Sequence, residues 1–177
     1  MTSYDRLDSL RSRIALGDWD GLEAEGRSEC ARLTQATADR IAAIPLLPYE
    51  ADLRASLAFV AARQRSDSKA IYWEFNPDDG WQSSFFRCRS YRPEAVGDDE
   101  WAADFDDADV LAGPAAPDLA AEFATDWDRS QESIARNVYL IARTIAALGR
   151  ASSTWQSALP LCAGYHDQDV LYRVRGG

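Results

Sequence analysis

His166 is the only histidine of the chain, and it sits in Cys162-Ala-Gly-Tyr-His-Asp-Gln-Asp169. Asp167 could orient such an imidazole as a general acid and base. Cys162 and Asp169 add ligand types that zinc accepts. Neither chemistry is complete, because a zinc site collects three or four His and Cys ligands and Cys30 and Cys88 lie far off with no close-spaced pair. An HD-type phosphohydrolase needs several histidines, which this sequence lacks. Glu74, Asp78 and Asp79 could hold a hard cation, yet the glycine-centred calcium loop is missing. No phosphate-cradling G-x-x-x-x-G-K-S, no G-x-G-x-x-G and no G-x-S-x-G elbow occurs. The expectation is therefore no catalytic residue, no metal and no cofactor, with a small hydrolase using His166 and Asp167 as the alternative.

Binding chemistry is better represented. Asp98, Asp99, Glu100, Asp104, Asp106, Asp107 and Asp109 fall within twelve residues that contain no basic side chain, with Trp101 and Phe105 set among them. Residues 1–70 hold 11 acidic and 10 basic side chains, residues 71–109 hold 11 and 3, and residues 110–177 hold 7 and 6. The middle third thus carries −8 of the total −10. A polyanion would be repelled there, since phosphate binding needs clustered Lys and Arg that release counterions. That excludes nucleic acid and an anionic membrane surface as partners, and it steers a basic protein toward the run at a rate that falls with salt. Aromatics in such a segment serve either as anchors for the loop or as contacts for a partner. Trp101 and Trp81, the latter beside a turn, are the two tryptophans expected at the surface. Internal pairing of the run with arginines of this chain, or across a homodimer, is the competing reading.

The rest of the composition sets the frame. A chain of 177 residues with 46% hydrophobic content is most simply one domain, residues 1–177, with a real core. No apolar run is long enough to span a bilayer and no signal peptide is recognisable, so the expected location is cytoplasmic, as a monomer or homodimer. Three widely spaced cysteines suit buried, reduced thiols.

The elements that must carry these residues follow from periodicity. Helical spacing of Tyr4, Leu7, Leu10 and Ile14 ends at Gly17, a C-terminal cap. A second helix is predicted from Asp20, boxed with Glu23, through Leu22, Cys30, Leu33, Thr37, Ile41 and Ile44, and Pro45 ends it. Pro48 opens a third with Leu53, Leu57 and Val60 inward. Ile71 to Phe75 and Trp81 to Tyr91, joined by Asn76-Pro77-Asp78-Asp79-Gly80, predict a β-hairpin with Ile71, Trp73 and Phe75 on the core face. Val170 to Val174 supplies a third strand and Leu161 to Tyr165 a fourth. Residues 93–117 read as irregular and 118–127 as a short helix. Asp128 and Gln131 form a second capping box before a long helix whose seam is Ile134, Val138, Ile141, Ile145 and Leu148. Arg129, Arg136, Arg143 and Arg150 fall seven apart on its opposite side as an arginine stripe. The fold class is α+β: a helical N-terminal part, an antiparallel sheet of three or four strands and a long C-terminal helix packed on it.

Ile71-Tyr-Trp-Glu-Phe-Asn-Pro-Asp-Asp-Gly-Trp81, Phe85-Phe-Arg-Cys88, Asp98-Asp-Glu-Trp101 and Ala135-Arg-Asn-Val-Tyr-Leu-Ile-Ala-Arg-Thr144, in this order, resemble the small cytoplasmic immunity proteins that accompany bacterial polymorphic toxins. The resemblance covers residues 70–150. It implies a non-enzymatic inhibitor that covers a toxin's active site, and no catalytic residue carries over from it.

Overall fold

The computed structural model describes residues 3–92, 100–126, 129–166 and 172–175, without the side chains of residues 3–5 and 8. The N-terminal third is helical, as the periodicity predicts: α1 (Ser3–Leu16), α2 (Trp19–Leu33), α3 (Gln35–Ala43) and α4 (Leu47–Ala61). Leu7, Leu10 and Ile14 are buried, and Gly17 ends α1 at φ 67°, the left-handed geometry that glycine adopts without cost. Two local predictions fail. Asp18, not Asp20, caps α2 by accepting from the Gly21 amide at 3.0 Å. The long second helix is broken at Thr34 (φ −153°, ψ 91°), which turns the chain so that Leu33 becomes 48% exposed instead of joining the core. Ile44 takes an extended conformation, as the residue before Pro45 must, and Pro48 lies in the first turn of α4.

β1 (Ala70–Asn76) and β2 (Gln82–Cys88) form the predicted antiparallel hairpin, with Ala70 opposite Cys88 and Asn76 opposite Gln82. Later come β3 (Val110–Ala112), the single-turn α5 (Pro117–Ala120), α6 (Gln131–Ala151), β4 (Leu161–Tyr165) and β5 (Tyr172–Arg175). The sheet has five strands in the order β3-β2-β1-β4-β5, and it is mixed: β4 runs parallel to β1, pairing Ile71 with Leu161 and Phe75 with Tyr165. An antiparallel sheet of three or four strands is thus corrected, while α+β stands. β3 lies within the stretch expected to be irregular. Val170 and Leu171, placed in the last strand by the sequence pattern, lie outside the described residues, as does Asp128, the first residue of the expected capping box. The cap of α6 among the described residues is Ser130, whose hydroxyl accepts from the Ser133 amide at 3.0 Å.

α6 is buried nearly all round, between the core face of the sheet and the N-terminal helices. A helix so placed needs apolar or satisfied side chains on every face. Its arginines therefore do not form a solvated stripe. Arg143 reaches Glu23 at 3.0 Å and donates to the carbonyls of Ile41 and Ile44, closing the C-terminus of α3. Arg150 pairs with Glu50 (2.7 Å) and Glu23 (3.2 Å), and Arg136 pairs with Glu122 (3.1 Å). Close approach of α2 to α6 depends on a missing side chain: a Cβ at Gly149 would stand 2.4 Å from the Trp19 ring. Among the described residues no helix is long and apolar enough to cross a membrane.

Candidate interaction surface

Alternation along β1 sends Ile71, Trp73 and Phe75 to the helices and leaves Tyr72 and Glu74 on the other face. Tyr72 is nevertheless only 6% exposed, because the acidic segment folds over that outer face. Two short 3-10 turns, Glu100–Ala103 and Asp107–Asp109, shape it. Trp101 stands edge-on to Tyr72 and Tyr91, with ring centroids 6.5 and 5.1 Å away. Phe105 lies 4.6 Å from Phe86, which itself stacks on Tyr72 at 5.6 Å. The Arg89 amide donates to the Asp104 carbonyl at 2.9 Å, joining the loop's backbone to the end of β2. A second small core, with Ala70, Cys88, Ala102 and Cys162, results.

Trp101 is therefore an anchor of the loop, 6% exposed, where a surface tryptophan was expected. Half-buried Phe105 has the same part. Trp81 is wholly buried: it follows Gly80 in a left-handed conformation (φ 60° for both) that turns its indole inward, onto Phe75 and Phe123. So buried, it offers no surface to a partner.

The carboxylates divide into two groups. Asp109, 2% exposed, faces Arg89 at 2.9 Å, Arg87 at 3.1 Å and Arg65 at 3.7 Å, and its carboxylate also accepts from the Asp106 amide at 3.3 Å. Burial alone would raise this carboxyl, but the Asp106 amide and the guanidinium groups of Arg89, Arg87 and Arg65 outweigh it and hold the group below its ordinary range. Asp106 also pairs with Arg89, whose guanidinium is pushed up by its bonds to Asp106 and Asp109. These partners come from β2, the residue just after it and the α4–β1 turn, not from the α6 arginines. Glu100, Asp104 and Asp107 remain exposed, and no ion pair engages them among the described residues. Asp98 and Asp99 lie outside the described residues. The run is therefore not one uncompensated patch: among its described residues the exposed, unpaired charge is confined to three side chains on a loop fixed from beneath.

His166 is brought to a partner that spacing did not indicate. The parallel β1–β4 ladder continues with the His166 amide donating to the Phe75 carbonyl at 3.0 Å, and this places Nδ1 3.0 Å from Glu74 Oε1. Tyr72 donates to the other Glu74 oxygen at 3.3 Å. Asp167 and Asp169 lie outside the described residues. No group of three or more potential metal ligands occurs among the described residues.

Cys30, Cys88 and Cys162 are free and buried. Burial, and then the neighbouring Cys162, push the Cys88 thiol up to about 12, and burial pushes Cys162 up to about 11. Both are protonated at neutral pH and poorly nucleophilic.

No family model, no curated protein and no solved structure matches this chain.

Proposed function

We propose that this is a non-enzymatic binding protein that docks on a basic protein partner through the outer edge of the 100–109 loop. The partner class is the toxin that the immunity-protein resemblance implies, and docking would cover its cationic active site. The observation that carries the reading is the exposure of Glu100, Asp104 and Asp107 on a backbone already held by Trp101 and Phe105. A fixed loop loses little conformational entropy on binding, so its charges act without first being ordered. Negative potential over a basic partner raises the association rate chiefly at low salt.

The test is the association rate with a candidate cationic toxin domain, in stopped flow at low and high salt. Changing Glu100 to Gln and Asp104 and Asp107 to Asn together should slow association at least ~10-fold at low salt and flatten its salt dependence. Asp106→Asn, which removes a carboxylate already paired, should change the rate far less. An on-rate untouched by the triple change would overturn the proposal.

The Glu74–His166 contact favours one second reading, an acid–base pair serving a small hydrolase, with Asp167 as a further candidate. A hydrolysis that disappears in His166→Ala and is retained in the loop variant would support it over docking.

A further inference from the structure

We propose that α4 is a self-association surface, through which two copies of this chain pair antiparallel about a twofold axis at Ala55. The proposal does not depend on the acidic loop.

α4 is apolar on more than its buried side. Leu53, Leu57 and Val60 enter the core, but Pro48, Ala51, Ala55, Phe59 and Ala62, at spacings of three and four, form an exposed ridge on the opposite face. Phe59 is 47% exposed, and the Arg63 guanidinium carbon lies over its ring at 3.4 Å from the centroid. Ring and charge therefore project together as one cationic, apolar knob.

A matching hole lies beside the same helix. A cleft of about 230 Å³ opens between the start of α4 and the segment leading into α5, walled by Pro45, Pro48, Ala115 and Pro117 and rimmed by Asp52 and Asp118. Neither aspartate, and not the Arg63 guanidinium, has an ion-pair partner among the described residues. Knob and hole thus carry opposite charge.

Their positions on α4 make the match self-complementary. Twofold pairing at Ala55 sets each residue against the one equally far on the other side, so Phe59 of one copy meets Ala51 of the other. That level is one residue from Asp52 and one turn above Pro48, at the mouth of the cleft. The guanidinium carried on the ring arrives beside Asp52 and faces Asp118 across the opening. Both copies do this at once, which gives two knobs, two holes and an alanine contact at the axis. Small residues there allow the helix backbones to approach closely.

Sedimentation equilibrium of the full chain from about 1 μM to about 500 μM brackets the range expected of a compact interface under about 1,200 Å². The mass should rise to that of a dimer. Phe59→Glu should leave a monomer with unchanged circular dichroism, since Phe59 is half exposed. Arg63→Asp should weaken the dimer at least ~10-fold and the added change Asp52→Arg should restore it, a rescue that a loss of helix structure would not show. Ala55→Cys should cross-link to its own copy on mild oxidation, the native thiols being buried. A monomer throughout, or a dimer indifferent to Phe59→Glu, would overturn the proposal.

Discussion

The indole nitrogen of Trp81 donates to the Thr144 hydroxyl at 2.9 Å, and that hydroxyl in turn donates to the Leu140 carbonyl at 2.8 Å. One bond thus fixes the turn of the β1–β2 hairpin to the middle of α6. Both groups are buried, so neither can turn to water if the other is lost.

Thr144→Val keeps the shape of the side chain and leaves the Trp81 N–H without an acceptor. The expected loss is about 1–3 kcal/mol in urea unfolding. Trp81→Phe, which removes the donor as well, should combine with it to less than the sum of the two. A strictly additive pair would show that the bond contributes nothing.

Much of the fold is legible in the sequence, and its gaps have specific causes. The hairpin is readable because Ile71, Trp73 and Phe75 alternate cleanly and the turn residues are unambiguous. β3 is not, because Val110, Leu111 and Ala112 make too short a period, and their strand exists only by pairing with Ser84, Phe85 and Phe86. The break at Thr34 has no proline or glycine to announce it. Apolar spacing identifies α6, but period alone does not separate a helix with one buried side from one enclosed by the fold. The arginines at 136, 143 and 150 consequently look solvated until their acidic partners on α2, on α4 and in the turn after α5 are seen. At the candidate site, the acidic composition is plain. What the sequence hides is the division between Asp109, claimed by Arg65, Arg87 and Arg89, and the exposed Glu100, Asp104 and Asp107, since that division depends on long-range contacts. The His166–Glu74 meeting is hidden for the same reason, 92 residues apart.

Gly149→Ala tests the α2–α6 contact. The new methyl would stand within 2.4–2.6 Å of Trp19 ring carbons, so the helices must separate or the indole must move. Overpacking of this kind costs about 1–3 kcal/mol. Replacing Trp19 by Leu in the same chain should recover part of the loss measured for G149A. If G149A unfolds at the parent temperature, the two helices are not held at this distance.

The native thiols should resist modification. Burial keeps Cys88 and Cys162 protonated well above neutral pH. Titration with Ellman's reagent at pH 7.5 should find them slow in the folded protein and fast in denaturant, at a folded rate that follows opening of the structure. Prompt reaction under native conditions would show that the loop bearing Trp101 and Ala102 does not stay on the sheet.

Acid should release that loop through Asp109. Its carboxyl is held below the ordinary value near 3.8 in the folded chain, so the folded state binds the proton less readily than the unfolded one. The stabilisation is therefore complete above the unfolded value and is lost as pH falls through the lower, folded one. Asp109→Asn should cost about 3 kcal/mol at pH 7, because Arg87 and Arg89 then lose the buried counter-charge they share. Asp106→Asn, at an exposed pair, should cost at most about 1 kcal/mol. Asp18 and Asp39 are also held low, by Arg13 and the Gly21 amide and by Gln35 and Arg27 respectively, but both remain in the variant and cancel in the comparison. The gap between parent and Asp109→Asn in urea unfolding should accordingly be constant from pH 5 to pH 7 and narrow below about pH 4. A gap that stays constant to pH 2 would mean that the Asp109 carboxylate is not the group Arg65, Arg87 and Arg89 hold charged.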